Sequence, residues 1–397
     1  VTPPGADRPT RVLVLDHTGE LGGAELALVR LCHAVGPEVD VRVLLFSDGP
    51  LVDRLRAAGV TTEVLALDPR TATASREAVG RASLSQLVSL LRLVPFSWAL
   101  ARRVRGLRPD VVHTTSLKAD LLGVLPARWA RSALVWHVHD RIADDYLPSR
   151  VARVFRWAAA RFPDAVIVNS EATASTLPVE TTVAYPGFGA EQDLAGPRPP
   201  LPAGRRGPVV GMIGRISRTK GQLELVRAAR TVLDRHPDAV FRVVGEPSFG
   251  AEGYADQVRA EAERLGVADH VTWVGFVADP STELDGFDVC VHASPVPEPF
   301  GQVVVEAMIR EVPVVATRAG GVVEILAGPP GEPALGLLVE PGDEESLAHG
   351  ILAVLDAPGE ARDRAVRAAV VARRRYSAAR TAEVVSGVWW GAAGRAR

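Results

Sequence analysis

Lysine is almost missing from this 397-residue chain: of 45 basic residues only Lys118 and Lys220 are lysine, the rest being arginine. Each of the two therefore raises the question of what a compact ammonium does there that a guanidinium would not. Cysteine is scarce as well. Cys32 and Cys290 sit inside apolar runs at no metal-ligand spacing, which excludes a disulfide framework and points to reduced, buried thiols in a cytoplasmic setting. No apolar stretch approaches the roughly 20 residues needed to span a bilayer. The start, residues 1–11, is proline-rich and polar rather than signal-like, so no export is expected. Charge of one sign is lacking too. A net charge of -2 and a pI near 6.6 leave no global basic field for nucleic acid.

What is present is a 47% hydrophobic, 23% charged composition and enough chain for two domains, each with its own core. The front half repeats a short β-branched run followed by an amphipathic stretch, with runs at Arg11 to His17, Val41 to Ser47, Thr62 to Leu67, Asp110 to Thr115, Leu134 to His139 and Ala165 to Asn169. Strands alternating with helices predict a parallel sheet covered on both faces. A proline- and glycine-dense tract at 191–208 reads as a linker between a first domain, 1–190, and a second, 209–375. A second alternating series begins at Val209, and the tail, 376–397, reads as a helix that docks back on the first domain through Trp389 and Trp390. The fold class is thus α/β, two Rossmann-like parallel-sheet domains whose C-terminal strand ends would share an interdomain cleft.

Chemistry concentrates in a few places. In Glu298-Pro-Phe-Gly-Gln-Val-Val-Val-Glu306, proline and glycine favour a strand-to-helix turn whose dipole suits an anion, and two carboxylates could each grip sugar hydroxyls. The same pair reads equally as a solvated loop charge and a helix-face carboxylate. Arg215 and Lys220 follow the first strand of the second domain and could clamp a diphosphate as a fork and a point charge. Two solvated loop cations are the plain alternative. Gly22 and Gly23 open a helix after the first strand and let a ligand approach the backbone. A simple tight turn would look the same, and the spacing with Gly19 does not give the G-x-G-x-x-G of a dinucleotide binder. His137 and His139 share one side of a strand, as ligand contacts or as satisfied structural histidines. No DxD-like metal motif stands in a useful place, and Asp144-Asp145 is expected to cap a helix.

The segment EPFGQVVVEAM resembles the paired-glutamate signature of the family-four retaining glycosyltransferases of the GT-B fold. Four more segments match in order: GELGGAE (Gly19 to Glu25), HD (His139, Asp140), GRISRTKG (Gly214 to Gly221) and AGGVVEIL (Ala319 to Leu326). One departure is Pro186-Gly187, where the family usually has Asn-Gly.

The resemblance implies a hexosyltransferase that takes a hexose or N-acetylhexosamine from a nucleotide diphosphate sugar, UDP being favoured by family frequency, with retention and without metal or other cofactor. Arg215, Lys220, Glu298 and His139 would be catalytic. Gly22, Gly23, Gly214, Gly245, Phe276, Phe300, Gly301, Gln302 and Glu306 would hold the donor. Lys118, His137 and Asp140 would stand on the side of a small-molecule or lipid-linked saccharide acceptor. The stretch 87–108, apolar with five arginines, suggests peripheral contact with the inner face of a membrane. As a pair of packed core helices broken at Pro95 it would need no membrane at all. A nucleotide-sugar epimerase of the same architecture, a glycan-binding module and, less favoured, a nicotinamide oxidoreductase are the rivals.

Overall fold

The computed structural model describes residues 8–67 and 84–395 apart from 195, 197, 199–200, 202–203, 206 and 248–249, and describes the backbone but not the side chains of 84–92. It divides into two compact units, one formed by Val1–Gly187 with Ser377–Arg397 and the other by Phe188–Tyr376.

The first unit is built on a seven-stranded sheet, order β3-β2-β1-β4-β5-β6-β7, with every registered pair parallel. Its strands are β1 (Thr10–Asp16), β2 (Val39–Leu45), β3 (Thr61–Val64), β4 (Val111–Thr114), β5 (Ala133–Val138), β6 (Ala165–Val168) and β7 (Thr182–Val183). β4 and β5 are buried along their whole length, as continuous apolar runs in a doubly covered sheet must be. Helices α1 (Gly23–Ala34) and α2 (Pro50–Ala57) pack on one face. On the other lie α3 (Leu84–Leu107), α4 (Leu117–Ala130) and α5 (Ser149–Ala159). A short helix, α6 (Glu171–Ala174), follows β6, its N-cap Ser170 accepting from the Thr173 amide.

The second unit carries a six-stranded parallel sheet, order β10-β9-β8-β11-β12-β13, from β8 (Val209–Ile213), β9 (Val240–Val244), β10 (Val271–Gly275), β11 (Val289–His292), β12 (Val314–Thr317) and β13 (Leu337–Val339). Its helices are α7 (Gln222–Arg235), α8 (Glu252–Arg264), α9 (Ser281–Asp285), α10 (Gln302–Ile309), α11 (Val322–Leu326), α12 (Glu344–Leu355) and α13 (Pro358–Arg375). In both sheets the strand order reverses beside the first strand, between β1 and β4 and between β8 and β11. Such reversals are where open α/β sheets bind ligands.

The tail expected at 376–397 is a helix, α14 (Ala378–Arg395), which adds Val385, Trp389 and Ala392 to the core under β1, β4 and β5. The Trp389 indole N–H donates to His113 Nδ1 at 3.0 Å, satisfying a polar group that burial would otherwise penalise. Three expectations change. The 191–208 tract is no free linker: Gln192 and Asp193 carbonyls accept from Arg310, and Arg198 donates to backbone carbonyls of Asp285, Phe287 and Glu311, all within the second unit. Pro95 sits inside the continuous α3 instead of breaking it. The helix persists because Phe96, Leu100 and Val104 bury their side chains beyond the proline, Phe96 edge-on to Phe46 with centroids 5.0 Å apart. Asp144 and Asp145 do not cap α5, whose N-cap is Pro148; Asp145 pairs instead with Arg141 at 3.1 Å.

Candidate functional site

In the second unit the loop after β8 is shaped by its own sequence. Gly214 and Gly221 take φ of 156° and 85°, and a Cβ at Gly221 would meet the Ala293 carbonyl oxygen at 1.9 Å, so only glycine lets the loop lie this close to the β11 end. The fully buried Gln222 locks the loop from below, donating to the Arg215 carbonyl at 2.9 Å and accepting from the Ser217 amide at 3.3 Å. The result points Lys220 at Glu298, whose Oε1 accepts from the Lys220 ammonium. Arg215 is exposed at the mouth of the same loop.

Glu298 arrives from the other side of the sheet reversal. Its carbonyl accepts from the Gly321 amide at 2.9 Å, and a Cβ at Gly320 (φ 67°) would overlap that carbonyl at 2.0 Å. The pair of glycines after β12 therefore clamps the backbone of residue 298. The second carboxylate oxygen lies 3.3 Å from His292 Nε2 at the end of β11. Burial alone would raise the Glu298 pKa, but the Lys220 charge and His292 hold it well below the usual carboxylate range. The group stays an anion.

Gly301 (φ 107°) caps α10, which begins at Gln302 and carries Glu306. Glu306 Oε1 accepts from Gln192 at 3.1 Å, while Gln192 Oε1 accepts from the Gly189 amide at 3.1 Å. Phe300 is buried against Tyr376, ring centroids 5.8 Å apart, so its ring packs and only its backbone is left for a ligand. Gly245 (φ 135°) donates its amide to the Gly275 carbonyl at 2.8 Å, and a Cβ there would strike the Gly214 carbonyl at 2.1 Å. These glycines bring three loops together at neighbouring strand ends. Phe276, expected beside them as a donor contact, is 64% exposed.

In the first unit, Gly22 is the cap of α1 and Gly23 its first residue. His139 follows β5, its carbonyl held by Asn169 at 2.9 Å, and Asp140 accepts from the Tyr146 hydroxyl at 2.9 Å. His137 is buried between two other imidazoles, 4.1 Å from the His139 ring and 5.3 Å from that of His113. Burial first, and then these neighbours, push its pKa far down, so it is neutral. Lys118 lies in the first turn of α4 beyond the end of β4. Among the described residues no group of three or more His, Cys, Asp or Glu could hold a metal ion.

One carboxylate here titrates near neutrality. Glu25, in the first turn of α1, is raised from 4.5 to about 7, by burial first and then by Asp16 and Asp140. A raised carboxyl pKa leaves stability untouched below pH 4.5 and lowers it as pH climbs through 7, because the native state clings to a proton the unfolded chain has released. The shift corresponds to about 3 kcal/mol at alkaline pH. Glu25→Gln should abolish that decline, read as a denaturation midpoint that stays level between pH 5 and 8; an unchanged slope contradicts it.

Residues the sequence did not single out are His292, Gln192, Gln222 and His113. A histidine ending an otherwise β-branched run (VCVH, HT after VV) was the available signal for two of them. The glutamines carried none.

Residues 198–370 match the family described as "Glycosyl transferases group 1" and residues 50–179 the one described as "Glycosyltransferase Family 4". A D-inositol 3-phosphate glycosyltransferase of Kribbella flavida is 27% identical over 398 residues, covering 90% of each protein. A lipopolysaccharide core biosynthesis mannosyltransferase of Rhizobium meliloti is 26% identical over 293 residues, 68% of this chain and 83% of its own. The crystal structure of Anabaena HepE in complex with UDP and glucose superposes with a TM-score of 0.81 at 27% identity, over 96% of this chain and 99% of that one.

Proposed function

We propose that this chain, which belongs to the family-four glycosyltransferases and has their GT-B fold of two Rossmann-like domains, moves a hexose or N-acetylhexosamine from a UDP-sugar to a small-molecule or lipid-linked saccharide, with retention and without a metal. The single observation that carries the reading is the Lys220–Glu298 pair at the β8/β11 reversal. It sets a cation where a diphosphate would arrive and an anion where sugar hydroxyls would be gripped. Arg215 and Lys220 neutralise the departing diphosphate, the task a divalent ion performs in other transferases. Glu306 holds ribose hydroxyls, Gln192 fixing its orientation. The backbone at Phe300, Gly301 and Gln302 faces the sugar, and the backbone at Gly214 and Gly245 borders the base. For the first domain, the family resemblance implies sugar contacts at Gly22, Gly23 and His139 and acceptor contacts at Asp140 and Lys118. Retention follows if the acceptor attacks on the leaving-group face and its proton passes to the departing phosphate oxygen. UDP is favoured because HepE was crystallised with it. Cys32 and Cys290, unpaired and with thiols pushed up to about 12 by burial, fit a reducing, cytoplasmic setting.

The test is nucleotide release from a panel of UDP-, GDP- and ADP-sugars, with inositol phosphate and aminocyclitol acceptors, in the presence and absence of EDTA. UDP release that requires acceptor, survives EDTA and leaves the product anomer unchanged is the expected result. Conversion of the donor with no acceptor overturns transfer in favour of epimerisation. A UDP-sugar at a hundred times its dissociation constant should also add ~2.7 kcal/mol to stability.

A further inference from the structure

Helices α3, α4 and α5 all pack on one face of the first sheet, and each carries large apolar side chains on its outward surface. Of the ten large apolar side chains exposed among the described residues, seven stand on these three helices. Val94 and Trp98 come from α3, Leu121, Leu125 and Trp129 from α4, Val154 and Trp157 from α5. Trp98 and Trp157 are 59% and 61% exposed and Leu125 is 69% exposed, which folding alone would not select. Trp98 stacks on Trp129 with centroids 5.2 Å apart, and the Arg105 guanidinium lies 4.9 Å from the Trp129 ring. The aromatic rings are thus held as a platform spanning two helices.

The charge on this face has one sign. Arg102, Arg105, Arg128, Arg150 and Arg153 are exposed on it, and neither α3 nor α5 contains an aspartate or glutamate. The sole carboxylate of α4, Asp120, is buried and accepts from Thr114. The chain as a whole is slightly acidic, at -2, so this basic surface is a local construction. Exposed tryptophan interleaved with arginine matches a headgroup interface, where indole rings sit at the apolar boundary and guanidinium groups reach anionic phosphates. Among the described residues no helix is long and apolar enough to cross a membrane.

We propose that the outer face of α3, α4 and α5 docks the protein onto an anionic lipid surface, as a peripheral contact wider than the 87–108 stretch. The proposal does not depend on the transfer reaction. The test is co-sedimentation of the full chain with vesicles of phosphatidylcholine alone or mixed with phosphatidylglycerol, at low and high salt. Binding should require phosphatidylglycerol and weaken with salt. The variants Trp98→Ala/Trp129→Ala/Trp157→Ala and Arg128→Glu/Arg153→Glu should each bind roughly tenfold more weakly or worse, with thermal midpoint and UDP release from a soluble acceptor unchanged. Wild-type binding that ignores lipid charge, absent binding, or variants that bind like wild type overturns it. A dimer that the tryptophan variants dissociate also overturns it, making the face a contact between copies.

Discussion

Lys220→Ala is expected to lower turnover by roughly 10²–10³-fold while shifting the KM for donor far less, the loss typical of removing one preorganised donor from a developing anion. The ammonium is fixed from three directions: by the Lys220 amide bonded to the Ser217 carbonyl at 3.0 Å, by the Gln222 lock beneath the loop, and by Glu298. It is therefore in place before any diphosphate arrives and need not reorganise when charge builds on the leaving oxygen. Lys220→Arg should recover little, since the guanidinium is larger and needs a fork that one carboxylate oxygen does not offer. Single-turnover kinetics with saturating UDP-sugar distinguish the chemical step from product release. A turnover within a few fold of wild type would remove Lys220 from the reaction. The scarcity of lysine offers a second readout: amine-directed acetylation can touch only Lys118 and Lys220 among side chains, and UDP should protect the latter.

Glu298→Ala should be the more destructive change, because it costs both activity and stability. The carboxylate is 12% exposed and its partner Lys220 28%. Removing one member of a fully buried pair costs about 3–5 kcal/mol, and the exposure of Lys220 reduces this to about 2 kcal/mol. His292 would lose its partner too, and the sugar would lose two acceptors. A fall of several degrees in thermal midpoint with loss of detectable transfer is expected; Glu298→Gln, of the same shape, should keep more of the stability and little of the activity. The pH behaviour follows from the depressed carboxyl pKa. A carboxylate lowered on folding contributes stability above its unfolded value, and that contribution disappears only as pH falls through the lower, folded one. The wild-type rate should therefore show no ascending acid limb from Glu298 above pH 4.5, its unshifted value. An inflection near that value that vanishes in Glu298→Gln would refute the assignment.

Most of the sheet architecture was legible because buried parallel strands announce themselves as β-branched runs: VVHT, ALVWHV and VVAT are strands almost to the residue. Lys220 and Glu298 were legible for a different reason, their placement in glycine-punctuated loops at strand ends. What stayed hidden depends on tertiary contact. Gln192 looked like linker because proline and glycine surround it, yet Arg310 pins its carbonyl and its amide reaches Glu306. Pro95 looked like a break, yet packing of the residues after it keeps α3 continuous. The burial of the Phe300 ring was equally invisible, although it leaves the backbone at that position as expected. Side-chain burial within a loop has no periodicity to betray it.

The polypeptide passes out of the first unit at Gly187 and returns to it at Ser377, where a Cβ on Gly187 would fall 2.5 Å from the Ala378 backbone. On a ribosome, the domain begun earliest is consequently finished latest. Its sheet emerges with a gap where Trp389 belongs, and His113 waits for its indole partner until the 275 residues between them have been made. The second domain, continuous in sequence, can close meanwhile. Released chains truncated after residue 377 should accordingly hold a protease-resistant 188–376 core and a first domain that chaperones still recognise.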